Sequence, residues 1–221
     1  MTDHRRAPLS QRKQPQQSRS TGLVAAILEA AVQVLAKDGA QHFTTARVAE
    51  RAGVSVGSLY QYFPNKAAIL FRLQSDEWRQ TTEMLHAILE DVRKPPLERL
   101  RILVLAFIRS ECDEAEIRVA LNDAAPLYRD APEAHEVRAS GRRIFRIFMR
   151  ELLPESAEET RVLAGDLITT TLRAVGKQFS EAPRSAAEIE TYAAAAADMF
   201  CAYLHGIGRG QDGLAIPPRQ P

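Results

Sequence analysis

Cysteine is scarce. Cys112 and Cys201 stand far apart, with no CxxC spacing at either, and suggest neither a zinc module nor a disulfide framework. Both read as small apolar residues for an interior. Histidine is equally unhelpful to a metal, since His4, His42, His86, His135 and His205 form no ligand-spaced set. No phosphate-binding loop occurs, and no metal, cofactor or catalytic residue is expected. Long apolar runs are missing too. The longest, from Gly22 to Ala36, is broken by Glu29 and Gln33 and falls short of the roughly 20 residues that span a bilayer. Nor does a secretory signal follow the first basic residues, so a cytoplasmic chain with no membrane partner is expected. Alternating β-branched runs and internal repeats are absent as well, which leaves an all-α chain.

Net charge is small, +1 over 221 residues, but it is unevenly spread. Residues 1–70 carry nine Lys and Arg against four Asp and Glu, and the remainder carries 20 against 24. A basic first third suits a polyanion, whereas an acidic remainder suits protein or small-molecule contacts.

Residues 1–20 are rich in Gln, Ser, Pro, Arg and Lys and read as a flexible basic arm. For Arg5, Arg6, Arg12, Lys13 and Arg19, a solvated tail and minor-groove contact remain alternatives. From Thr21, Val24, Ile27, Leu28, Ala31, Val34 and Leu35 keep helical spacing until Gly39. Thr44 or Thr45 caps a short second helix with Val48, Ala49 and Ala52 on its apolar side, ended by Gly53. Ser55 caps a third, and Pro64 stops it. Asn65 caps a fourth helix that runs free of Pro and Gly to about Val92.

Helical periodicity continues from Pro95 to about Asn122, and residues 123–132 read as a loop. Further helices are expected with Ile144, Phe145, Phe148 and Leu152 on one face, then from about Glu155 to Ser180 and from Ala187 to His205, where Gly206 ends the pattern. The expected domains are 1–20, 21–66, 67–206 and a flexible tail at 207–221.

Two short helices with a glycine between them make a helix-turn-helix. Ala52 and Gly53 would let those helices approach, Val54 and Leu59 would plug the space, and Phe63 with Phe43 would close a core on Ile27 and Ala31. Gly57 lacks a side chain, so the third helix can press its N-terminal edge on DNA, leaving Val56, Ser58 and Gln61 toward the major groove. Gln61 suits adenine, and Val56 a thymine methyl.

The stretch FTTARVAERAGVSVGSLYQYFPNKAAIL, residues 43–70, resembles the DNA-binding region of the TetR family. The match covers the helix from Leu23 to Ala36, then Gly39, the Thr44-Thr45 pair, Val48-Ala49, Ala52-Gly53-Val54-Ser55, Gly57, Leu59-Tyr60, Tyr62-Phe63 and Lys66. By that resemblance Thr45, Tyr60, Tyr62 and Lys66 clamp phosphates, joined by Arg47 on charge grounds, and they position without reading sequence. For Tyr60 and Tyr62 a core ring with a wet hydroxyl is the competing reading.

The resemblance further implies double-stranded DNA carrying a palindromic operator, a homodimer and a small-molecule effector of a C-terminal helical domain. A repressor released from its operator is expected; a ligand-independent or architectural DNA binder is the alternative. Gly165, Ala174, Gly176 and residues 193–197 are small enough for a dimer interface, or for close packing inside one chain. Trp78, Met84, Phe107, Tyr128, Phe145, Phe148, Met149 and Arg173 are pocket candidates for a lipophilic or aromatic effector, or plain core. Arg138, Arg142, Arg146 and Arg150 form a basic stripe that is either solvated, or else paired with acidic residues such as Glu111, Asp113, Glu114 and Glu116 or bound to an anion.

Overall fold

A computed structural model describes residues 18–124 and 143–209, and all regular structure among them is helical. The helices are α1 (Ser18–His42), α2 (Thr45–Arg51), α3 (Val56–Tyr62), α4 (Lys66–Leu89), α5 (Pro96–Asp113), α6 (Ala115–Ala124), α7 (143–152), α8 (Glu158–Phe179) and α9 (Ala186–Arg209). The arm residues Arg5, Arg6, Arg12 and Lys13, the side chain of Arg19, the loop beyond residue 124, Tyr128, Arg138, Arg142 and the tail from 210 lie outside the described residues.

The chain divides into two compact units, one of Met1–Gln80 with Glu114–Arg138 and one of Thr81–Asp113 with Ala139–Pro221. This differs from the boundary expected at residue 66. The first half of α4 and all of α6 belong to the unit that holds α2 and α3.

In the first unit, Val24, Ile27, Ala31, Val34 and Leu35 of α1 are all buried, as their i, i+3, i+4 spacing requires. Residues 20–42 are long and apolar enough to cross a membrane by composition, but this stripe is the core-facing side of the helix. At Gly39 the backbone leaves helical geometry (φ 71°, ψ 171°) before a last short turn. Phe43, Leu59 and Phe63 are fully buried in one cluster with Ile27 and Ala31. Ala120 and Leu121 of α6, which packs on α1, complete it. Arg118 of α6 is tied to Glu77 of α4 at 2.9 Å, both side chains being largely buried. Gln74 also donates to Glu77, at 2.7 Å.

The second unit is built on α5, which packs on α8 and α9. Pro96 opens α5, where a missing N–H costs nothing, and Leu100, Leu103, Val104, Phe107 and Ile108 form its buried face. α8 presents Ala164, Gly165, Ile168, Leu172 and Gly176 inward. A side chain at Gly165 would meet Met149 Cγ at 3.2 Å, and one at Gly176 would meet Phe107 Cε1 at 3.0 Å. Ala193 and Ala197 of α9 are buried within the same unit. These small residues therefore serve packing inside the chain, while Ala174 is exposed.

Ser185 and Glu188 form a reciprocal cap at the start of α9: the Ser185 N–H donates to Glu188 Oε2 at 2.8 Å, and the Glu188 N–H donates to Ser185 Oγ at 3.3 Å. The helix does not stop at Gly206 but continues to Arg209, with Ile207 packed on the core. Both cysteines are free thiols, Cys201 buried and Cys112 partly so, and burial pushes both thiols up in pKa.

Candidate nucleic-acid interface

Local chemistry fixes the turn between α2 and α3. Thr44 adopts extended geometry and its hydroxyl accepts from the Arg47 N–H at 3.3 Å, starting α2. At the other end Gly53 has φ +66°, and the Val54 N–H donates to Ala49 O at 2.9 Å to close the turn. A side chain at Gly53 would meet nothing within 4 Å. Its role is the left-handed backbone, not the close helix approach expected from composition.

Ser55 then caps α3, its Oγ accepting from the Ser58 N–H at 3.0 Å. The two serine hydroxyls also bond each other at 2.8 Å, so Ser58 is engaged in the cap and half-buried. Val56, Gly57, Tyr60 and Gln61 are exposed along one edge of α3. Gly57 has ordinary helical backbone, and a Cβ there would touch only Ser55 Oγ, at 3.8 Å. Nothing inside the chain requires a glycine at 57. What its bareness leaves is an open edge on the surface of α3.

Thr45 Oγ1 and the Tyr60 hydroxyl lie 3.1 Å apart, tying α2 to α3 at this edge. Asn65 caps α4 through Oδ1 to the Ala68 N–H at 2.9 Å, and half-buried Lys66 follows at the helix start, in no ion pair among the described residues. Exposed N–H groups there favour an anion.

Two members of the expected clamp are placed otherwise. Tyr62 is 6% exposed, its ring part of the first unit's core. Arg47 pairs with Asp38 of α1 at 2.9 Å and also donates to His42 O at 3.4 Å. Two positions beyond Thr45, it lies on about the opposite side of α2, in a shallow polar groove with Gln33, Lys37, Glu50 and Arg51.

The pocket candidates also separate. Phe107, Phe148 and Met149 are buried in the second unit's apolar cluster, with Phe145 partly buried against it. Met84 is half-buried on α4. Trp78 packs on the first unit's core instead. Arg173 is exposed on α8, pointing away from the buried face set by Leu172 and Gly176. Within the basic stripe, Arg150 pairs with Glu158 of α8 at 3.2 Å and Arg146 is exposed; Glu114 pairs with Arg118 at 3.0 Å. Sequence reasoning missed Arg99, a fully charged side chain that is 1% exposed.

A family model described as bacterial regulatory proteins, tetR family, matches residues 27–73, and one described as tetracyclin repressor-like, C-terminal domain, matches residues 95–207. The chain belongs to the TetR family of transcriptional regulators. Among TetR-type relatives, the HTH-type transcriptional repressor KstR of Rhodococcus jostii (strain RHA1) is 27% identical over 143 residues, 65% of this chain and 66% of KstR. The nucleoid occlusion factor SlmA of Vibrio campbellii (strain ATCC BAA-1116) is 37% identical over 94 residues, 41% of this chain and 47% of SlmA. The chain thus spans just under two thirds of the first relative and about half of the second. The fatty acid degradation regulator FadR from Bacillus halodurans shares the fold with a TM-score of 0.65 at 18% identity, over 85% of this chain and 96% of that one. The TetR family transcriptional regulator PfmR from Thermus thermophilus does so with a TM-score of 0.64 at 20% identity, over 79% and 96%.

Proposed function

We propose that this TetR-family regulator is a cytoplasmic homodimeric repressor that reads a palindromic operator with the exposed edge of α3 and leaves it when a lipophilic small molecule binds the C-terminal helices. The observation that carries the reading is Gly57. It is a glycine on an exposed helix edge that the fold itself does not need, flanked by Val56, Tyr60 and Gln61. Val56 and Gln61 read bases; Thr45, Tyr60 and Lys66 hold phosphates. Repression is favoured by the likeness to KstR, a named repressor.

Dimerisation falls to α8 and α9. Leu163 and Leu167 are about half exposed on α8, as is Met199 on α9, and the neighbouring Ala195, Ala202 and Gly206 let a partner helix come close. A two-fold pairing of these faces would bury them and set the spacing of two reading heads. An effector that binds the DNA-incompetent arrangement more tightly shifts the population toward it; one with equal affinity for both changes nothing. The apolar side chains Phe107, Phe145, Phe148 and Met149 favour a lipophilic effector. No enzymatic step enters this scheme.

Selection of bound fragments from random DNA tests the reading. A palindromic consensus bound by a dimer is expected; binding that shows no preference over competitor DNA would overturn it.

A further inference from the structure

We propose that the effector is an amphiphilic carboxylic acid whose carboxylate is received by Arg99. This rests on the lipophilic-effector reading above and adds the charge of the effector's head group.

Arg99 sits near the start of α5, 1% exposed, so a guanidinium is buried beside the apolar cluster that holds Leu89, Leu100, Leu103 and Phe148. Its Nη1 donates to the main-chain oxygen of Leu89, the last residue of α4. Its Nη2 donates to Glu151 Oε1 on α7, and the guanidinium carbon lies 5.3 Å from the centre of the Phe148 ring. The buried Nε–H meets no acceptor among the described residues. Native interiors leave few donors in that state, because an unpaired one loses its water and gains nothing in return.

The geometry says what would satisfy it. The Nε and Nη2 hydrogens share one edge of the guanidinium, the edge that grips a carboxylate with two parallel bonds. Glu151 occupies only the Nη2 half of that edge. Its side chain is 46% exposed, so it reaches inward from the solvent side and regains water if it withdraws. A ligand carboxylate that took both donors would leave the buried charge balanced and would pair the Nε–H. Phe145, Phe148 and Met149 on α7 supply apolar partners for a hydrocarbon tail.

Calorimetry and thermal unfolding of the full-length protein test this with octanoate, laurate and palmitate, each against the alcohol of the same length. The acid of the preferred length should bind about tenfold more tightly than its alcohol, one charge-assisted hydrogen bond's worth. Arg99→Gln should erase that preference and Arg99→Lys restore part of it. Should Arg99→Gln not fold, Glu151→Gln decides, since it removes an exposed competitor: acid binding should tighten several-fold with the alcohol unchanged. A purely structural ion pair would alter stability and leave the acid-to-alcohol ratio where it was, which would overturn the proposal. Equal binding of acid and alcohol would retain the lipophilic effector and reject Arg99 as its receptor; no binding by either series would reject both.

Discussion

The hydroxyl of Tyr60 on α3 stands 3.1 Å from Thr45 Oγ1 at the first residue of α2, so two separate helices present one hydrogen-bonded pair at the exposed edge. Tyr60→Phe removes that bond together with the proposed phosphate donor. DNA affinity should fall about 3- to 10-fold, by the same factor for the operator and every single-base variant. Gln61→Ala should instead flatten the preference at one base pair, worth about 1–3 kcal/mol. Equilibrium binding across the variants separates the two. A sequence-dependent loss for Tyr60→Phe would sink its assignment to the clamp.

Gly57→Ala should move stability and function in opposite directions. The added methyl group meets only a hydroxyl at 3.8 Å, and a helical alanine is favoured over glycine by about 0.5–1 kcal/mol. Thermal unfolding should therefore rise slightly while operator affinity drops. If affinity is retained, the bare edge at 57 is not what the DNA touches.

At Gly176 the same substitution should cost stability. Its Cβ would lie 3.0 Å from Phe107 Cε1 and 3.2 Å from Glu111 Cγ, with both side chains held in a packed interior. Overpacking of this kind costs about 1–3 kcal/mol, more than the helix propensity gained. Denaturant titration of Gly176→Ala would show a lower midpoint at unchanged slope.

Leu167→Glu tests the dimer face. It places a charge on a half-exposed apolar position of α8 that is not part of the unit's buried cluster. Sedimentation should show a folded monomer, and operator binding should weaken because two linked heads become two independent ones. An unshifted dimer would exclude this part of α8 from the interface.

Much of the reading head was legible because each local signal pointed the same way. Thr44, Ser55 and Asn65 all cap as their types suggest, and Ile27, Ala31, Phe43, Leu59 and Phe63 share one core as their spacing suggests. Where residue type allowed two physical roles, sequence alone did not choose between them. Gly53 serves backbone φ, Gly57 an open edge, and Gly165 and Gly176 side chains of the same chain. Arg173 fell beside an apolar periodicity but on its outer side, one residue from buried Leu172. Arg99 ran against the binary pattern altogether. A charge near the start of an amphipathic helix reads as solvated, and only the Leu89 carbonyl and Glu151, 10 and 52 residues away, make its burial tolerable.

Leu121, 1% exposed, and Ala120 belong to α6, some 50 residues beyond Lys66 at the start of α4, yet they fill the interior on which α2 and α3 rest. The reader is consequently not a portable cassette. A chimera that grafted residues 1–92 onto the sensing helices of another regulator would leave two of its own core side chains behind and receive strangers in their place. For such a graft to keep its grip on DNA, α6 would have to travel with the head. Breeding new sensor and reader pairs from this scaffold thus calls for two crossover points on either side of α6, in addition to the obvious one at the end of α4.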